Sequence, residues 1–118
     1  LSGVGVRTVG PPDGFEENGY LNVCLIDPDL RPAVEAALGA AGVGFGNVYP
    51  GAMSDQPGAV GHLAGRVGGG NARLLARSVL NLPLFAYIRD DEMDEVVAVV
   101  AAAHAAERES GAGPAGSV

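Results

Sequence analysis

The residues best suited to contact a ligand lie in one loop, with the sequence YPGAMSDQPG at positions 49–58. The loop combines an aromatic hydroxyl, a thioether, a serine hydroxyl, a carboxylate and an amide directly after an apolar segment. Loops that follow rigid elements often carry binding residues. We therefore predict a substrate-binding role for four residues, which are Tyr49, Met53, Ser54 and Gln56. No general base stands beside Ser54 in the sequence, so we assign no catalytic residue.

Cys24 and His104 have a structural explanation, whereas a contact role for His62 is possible but not supported by its spacing. Cys24 is the single cysteine and lies in an apolar run, which indicates a buried, inert thiol and excludes an internal disulfide. His104 falls on the apolar stripe of the last predicted helix, where we expect packing or stabilisation of the helix end. His62 lies in a loop, and no group of His, Cys and carboxylates has the spacing of metal ligands. We therefore predict no metal site.

Two further segments each allow two interpretations. The acidic run DDEMDE at 90–95 is compatible with a cation site, but it also opens a predicted helix. Carboxylates stabilise the positive end of a helix dipole, so we favour capping and solvated charge. GGGN at 68–71 precedes another predicted helix, a geometry that can bind phosphate. It lacks the rest of a P-loop or dinucleotide motif, so we favour a flexible linker.

The composition excludes several functions. The chain has 118 residues, enough for one domain, and a formal net charge of −7, which argues against nucleic acid and anionic membranes as partners. The chain contains no lysine, so alone it cannot form a lysine Schiff base with a cofactor. No segment has the pattern of a signal peptide or a membrane span, so we expect a cytoplasmic protein. Its first residue is Leu1, which indicates processing or a longer parent.

The first half of the chain predicts a strand, a helix and a second strand. Residues 1–19 contain several glycines and prolines and no sustained period, which predicts an extended N-terminal segment, or lead-in, before the first strand. YLNVCLID at 20–27 is apolar and predicts a buried strand. A helix starts near Leu30, with apolar residues at helical spacing, and ends at Gly42. VGFGNVY at 43–49 alternates and predicts another strand.

The second half predicts two helices joined by a bend. Residues 50–70 form a long irregular segment, and a helix at 71–80 has Asn71 as its N-cap. Pro83 then redirects the chain, and the last helix runs from Asp90 to about Glu107. Its predicted inward residues are Met93, Val96, Val97, Val100 and Ala103. The larger core residues are predicted to be Tyr20, Phe45, Leu82 and Phe85. We predict an α+β domain at 1–107, with a small sheet of about three strands packed on helices, and a disordered tail at 108–118.

Four consecutive segments resemble the C-terminal part of the DegT/DnrJ/EryC1/StrS family of PLP-dependent sugar aminotransferases. A strand similar to YLNVCLID follows a proline-containing lead-in. The next helix ends in Leu-x-x-x-Gly-[Ile/Val], matched from Leu38 to Val43. The family loop Tyr-Pro-x-Pro-Leu-His-x-Gln-Pro is matched at its first two and last two positions by residues 49–57. VLNLPLFAYIRDDE at 79–92 aligns without a gap with the family's Leu-Pro-hydrophobic-Phe bend and acidic helix start.

The resemblance implies the small C-terminal domain of a fold type I PLP-dependent transferase. PLP would be held by a lysine of a large N-terminal domain that lies outside this chain, which itself would bind no PLP covalently. The enzyme would transfer an amino group from glutamate to a nucleotide-linked keto sugar, as in deoxyamino-sugar biosynthesis. The 49–56 loop would shape the substrate side of the cleft. The implied partners are the large domain or a companion chain, the nucleotide sugar, and a second copy in a homo-oligomer.

The chain departs from the family pattern at three places. Residues 52–54 replace Pro-Leu-His, which removes an imidazole donor. Ala86 replaces a proline. Arg89 stands where a threonine caps the helix, so we expect Asp90 to take the capping role. Two alternatives remain, a self-standing, non-catalytic α+β binding or assembly module derived from such a domain, and an unrelated regulatory domain.

Overall fold

A three-stranded antiparallel sheet forms the centre of the fold. The computed structural model describes residues 1, 3–47 and 49–111. The strands are β1 (Val6–Thr8), β2 (Asn22–Ile26) and β3 (Val79–Leu82), in the spatial order β1–β2–β3. In the central strand, Cys24 stands opposite Thr8 on one side and Leu80 on the other. The fold is therefore a small α+β domain, as the sequence predicts.

Four α-helices lie in the described part of the chain. They are α1 (Arg31–Ala40), α2 (Pro57–Val60), α3 (Gly70–Ser78) and α4 (Asp90–Gly111), with a 3₁₀ turn at Met53–Asp55 before α2. Pro32 occupies the first turn of α1, where its missing N–H costs nothing. Gly42 follows the helix with φ +72°, a left-handed conformation that suits glycine. None of the described helices is long and apolar enough to cross a membrane.

The core lies between one face of the sheet and the helices α1 and α4. Alternate strand residues point to this face, as the two-residue period of a strand requires. The buried residues are Val6, Cys24, Ile26, Leu80 and Leu82 from the sheet, Val34 and Leu38 from α1, and Val96 and Val100 from α4. Burial raises the pKa of the Cys24 thiol, which therefore stays protonated at neutral pH.

The N-terminal segment crosses α4 at His104. Gly5 has φ +72°, and a Cβ placed on it would lie 2.6 Å from Nε2 of His104. Such an approach leaves no room for a side chain at this position. The half-buried imidazole packs against the backbone at Gly5, and this confirms the prediction that His104 is a packing residue.

One predicted element is wrong, and the predicted helix at 71–80 is confirmed as α3 except for its last two residues. In place of the predicted strand at 43–49, the described residues of this segment form one bridge, in which Gly46 and Asn81 exchange two backbone hydrogen bonds (2.8 and 3.1 Å). Glycines at 44 and 46 lack the side chains that stabilise a strand. The third strand is instead Val79–Leu82, whose first two residues were predicted to end a helix. It pairs with β2, and this non-local pairing overrides the local helical pattern.

Three of the four large residues predicted for the core lie at the surface. Leu82 is buried, but Tyr20, Phe45 and Phe85 are 78%, 41% and 53% exposed. Met93 and Val97 of α4 are also exposed, because the helix meets the core mainly through its i,i+4 pair Val96 and Val100.

The predicted helix caps also need correction. Gly69, in a left-handed conformation, is the N-cap of α3, and Asn71 lies inside the helix. Asp90 is the first residue of α4 and does not cap it. The backbone N–H of Arg89 donates to the Glu92 carboxylate (2.9 Å), one half of a capping box. Helix α4 continues through Gly111, so the predicted disordered tail begins too early, and its remainder at 112–118 lies outside the described residues.

Several large apolar side chains are exposed in the described part of the chain. Among them are Phe15, Tyr20, Leu74, Leu75 and Phe85. Such side chains are available for contact with a partner.

Candidate substrate-binding loop

The predicted substrate-binding loop is fastened to α3 at its start. The backbone N–H of Tyr49 donates to Oδ1 of Asn47 (3.2 Å), and Nδ2 of Asn47 donates to the carbonyl of Ala76 in α3 (3.4 Å). Asn47 thus links the loop to α3, a helix that contains no acidic residue. These hydrogen bonds fix the position of the backbone at the start of the loop.

Two of the four predicted binding residues share a pocket. Tyr49 and Met53 line a mainly apolar cavity of about 240 Å³ between the loop and α3. Its other walls are formed by Asn47, Gly51, Ala52, Ala72, Leu75, Ala76 and Val79. Tyr49 is 75% exposed and Met53 88% exposed, so both side chains are available to a partner or ligand. The phenol and the thioether supply a polar rim and an adaptable apolar wall.

The other two predicted residues lie outside this pocket. The Ser54 hydroxyl donates to Oδ1 of Asp55 (3.3 Å). Gln56 folds its amide back toward Gly51, with Nε2 3.0 Å from the position of a Cβ on that glycine. Both side chains act within the loop in this conformation. The structure therefore brings Tyr49 and Met53 together and separates Ser54 and Gln56 from them.

A cluster of two arginines and one carboxylate adjoins the loop. Asp55 accepts hydrogen bonds from Nε of Arg73 (2.8 Å) and from Nη1 of Arg66 (3.2 Å). The hydrogen bond from Arg73 is the main reason why the pKa of the Asp55 carboxyl is lowered. Two cations against one anion leave a net positive charge in a chain of net charge −7.

Sequence analysis did not identify either arginine of this cluster. Arg66 and Arg73 lie 11 and 18 residues from Asp55, at spacings that indicate no particular site. Arginine is the side chain best suited to bind phosphate in two-point contacts. The sequence offers two signals for an anion site here, namely that all its basic residues are arginines and that glycines lie between Arg66 and Arg73. Neither signal shows that both arginines contact Asp55.

The arrangement offers groups that can bind a ligand, and its carboxylate, Asp55, is already engaged by Arg66 and Arg73. The described residues contain no group of three or more His, Cys, Asp or Glu side chains that could hold a metal ion. His62 is exposed on the segment after α2. The residues also do not fit a covalent PLP site, since the chain has no lysine. No reaction step is therefore assigned to this chain alone.

Comparison with known proteins defines the class as an α+β domain related to transferases. No protein-family model matches the sequence, and no curated protein is significantly similar to it. The chain is similar to a crystal structure of an aminotransferase, TlmJ from Streptoalloteichus hindustanus, with 28% sequence identity and a TM-score of 0.69. The match covers 88% of this chain and 27% of the TlmJ chain, so this chain spans just over a quarter of the length of that enzyme. The likeness supports an aminotransferase fold.

Proposed function

We propose that this chain is the small C-terminal domain of a PLP-dependent aminotransferase of the DegT/DnrJ/EryC1/StrS type. It shapes the substrate side of the active-site cleft, while a large domain or companion chain holds PLP through its lysine. The reaction transfers an amino group from glutamate to a nucleotide-linked keto sugar. One observation carries the proposal, namely the match of 88% of the chain to part of an aminotransferase. The Leu-Pro-Leu-Phe bend and the Tyr49–Pro57 loop of this sequence are consistent with it.

The loop and its neighbouring arginines supply the proposed substrate contacts. Tyr49 and Met53 are exposed at the mouth of an apolar pocket that suits the carbon skeleton of a sugar. Arg66 and Arg73 have guanidinium N–H groups in excess of those that Asp55 accepts, and they attract the diphosphate of a nucleotide sugar. In this arrangement the chain binds and orients the substrate, and the chemistry takes place on the cofactor of the companion.

Exposed apolar side chains support an accessory role. Tyr20, Phe85 and Tyr87 are each more than half exposed, as expected where a domain packs against a larger one. The same surface also favours a second candidate, a self-standing assembly module that has lost the chemistry. The two differ in what restores transaminase activity. A companion large domain restores it in the first case, and no partner does in the second.

Reconstitution tests the proposal. The TlmJ chain, with its matching region deleted, is mixed with this chain, PLP, glutamate and a nucleotide-linked keto sugar. We expect 2-oxoglutarate to form only in the complete mixture. The variant Arg73→Gln should raise the KM for the nucleotide sugar with little change in kcat, since binding of an anionic group is lost. As a matched control, Arg108→Gln at the far end of α4 should leave both constants unchanged. Stable assembly of the two chains without any turnover would contradict the proposal and favour the module.

A further inference from the structure

A groove between the sheet and α3 combines an apolar floor with hydrogen-bond donors. It encloses about 330 Å³, and we name it the α3 groove. Its principal lining residues are Arg7, Leu25, Asn71, Leu74, Leu75 and Ser78. Small-molecule sites are mostly apolar cavities of at least about this size that carry a few polar groups. The α3 groove therefore has the size and composition of a ligand site.

The sheet and the helix each contribute one face to this groove. Val6 and Cys24 are buried in the core, so the next residues, Arg7 and Leu25, face the other side of the sheet, where they stand opposite each other. On α3, residues 71, 74, 75 and 78 follow the spacing of one helix face. The two leucines of that face are each about half exposed. The groove thus leaves apolar surface uncovered beside an arginine.

The polar side chains of the groove can all donate hydrogen bonds. They are the Arg7 guanidinium, the Asn71 amide and the Ser78 hydroxyl. Among the described residues, none of the three forms a side-chain hydrogen bond or an ion pair. None of the described acidic residues lines the groove, and Arg77, which precedes Ser78, is exposed. The groove is therefore locally positive in a chain of net charge −7.

We infer that the α3 groove binds an organic acid, namely a carboxylate carried on an apolar chain. The carboxylate accepts hydrogen bonds from Arg7, in the two-point arrangement that a guanidinium favours, and from Asn71 or Ser78. The apolar chain covers Leu74 and Leu75 and removes them from water. A neutral molecule forgoes the charge-assisted hydrogen bonds, and a cation is repelled. This inference goes beyond the proposed function and does not depend on it.

The α3 groove is distinct from the pocket beside Tyr49 and Met53. The two cavities share only Leu75 among their lining residues. Arg73, which binds Asp55 in the arginine cluster, lines neither cavity. Binding of an acid through Arg7 can therefore be separated by experiment from binding of an anion at the cluster.

Octanoate is the probe, and its binding is followed by ¹⁵N NMR titration of the full 118-residue chain at neutral pH and physiological ionic strength. We expect saturable shifts in the amide signals of the residues that line the groove. Octanol, the neutral analogue of the same length, should bind about tenfold more weakly because it lacks the charge-assisted hydrogen bonds. Octylammonium should bind more weakly still. Hexanoate should also bind about tenfold more weakly than octanoate, since it buries two fewer methylene groups.

Three variants locate the acid. Arg7→Gln should weaken octanoate binding about tenfold and leave octanol binding unchanged, which also shows that the variant is folded. Asn71→Ala, at an exposed helix position, should weaken octanoate binding about threefold. The matched control is Arg73→Gln, which removes the same charge from α3 outside the groove. It should change the octanoate affinity by less than about twofold, because salt screens the remaining interaction.

The inference is overturned if octanoate does not bind, if octanol binds as tightly as octanoate, or if Arg7→Gln has no effect on octanoate. Shifts centred on Arg66 and Arg73 would also contradict it, because the anion would then occupy the arginine cluster. Co-sedimentation with phosphatidylglycerol vesicles separates a free acid from a membrane surface. Binding to these vesicles without binding of octanoate would assign the groove to a membrane and overturn the inference.

Discussion

Gly5 lies so close to His104 that adding one methyl group at Gly5 tests how the N-terminal segment packs on α4. In the variant Gly5→Ala, the new Cβ would lie 2.6 Å from Nε2 and 2.7 Å from Cδ2 of His104, too close for either atom to remain in place. A φ of +72° adds a backbone cost of about 1 kcal/mol for a residue with a side chain. Displacing the half-buried ring adds about 1 kcal/mol more, at the lower end of overpacking costs, because a side chain can move.

Gly5→Ala should therefore lower the free energy of unfolding by about 2 kcal/mol, and Gly3→Ala is its matched control. This glycine has φ +98°, and a Cβ on it would meet nothing within 4 Å, so Gly3→Ala measures the backbone cost alone. The variant His104→Ala supplies the second control, since it removes the ring that the new methyl group would strike. Gly5→Ala made in that background should lose only the backbone cost, and the double-mutant cycle should give a coupling of about 1 kcal/mol.

Urea denaturation followed by circular dichroism gives the free energies of unfolding for the four variants and the wild type. A loss of about 2 kcal/mol should also lower Tm by about 8 °C for a domain of this size. Equal losses for Gly5→Ala and Gly3→Ala, or a coupling near zero, would show that Gly5 does not pack on His104 of α4.

Two further predictions concern the core and the arginine cluster. Leu38→Ala should cost about 3 kcal/mol of unfolding free energy, because Leu38 is fully buried. Leu84→Ala at the exposed bend should cost under about 1 kcal/mol, and similar losses in the two variants would contradict the described core. For the cluster, Arg73 lowers the pKa of Asp55 in the folded state. The ionised cluster is therefore present above the ordinary aspartate pKa of about 3.9 and is lost as the pH falls through the lower folded value. A carboxyl ¹³C NMR titration should place the Asp55 midpoint below about 3.9 and show it rising in Arg73→Gln. A midpoint at or above that value in the wild type would exclude the cluster.

Local sequence signals were sufficient for the parts of the fold that depend on neighbours in the chain. Strand β2 follows from its apolar residues, and α1 from Pro32, Gly42 and the helical spacing between them. The acidic start of α4 was also predicted, although the capping contact uses Glu92 and Arg89 instead of Asp90. Each of these signals is a short-range interaction that can be read from the sequence.

The parts that could not be predicted depend on distant contacts. Strand β3 follows α3 directly, and only its pairing with β2 makes Val79–Leu82 a strand. The convergence of Arg66 and Arg73 on Asp55 depends on how the 50–70 segment folds over α3. The exposure of Phe85 depends on which surface α4 and α1 leave uncovered, a property of the assembled domain.

The most direct test of the central claim is to locate the cofactor after it has been trapped. This chain is incubated with PLP, alone and together with the large domain of TlmJ, and the mixtures are reduced with borohydride and analysed by intact mass spectrometry. The account predicts a pyridoxyl adduct on a lysine of the large domain, with no adduct on this chain beyond its terminal amine, because this chain contains no lysine. It also predicts that this chain co-purifies with the labelled large domain. Transaminase turnover by the isolated chain, or failure of the two chains to associate, would contradict it.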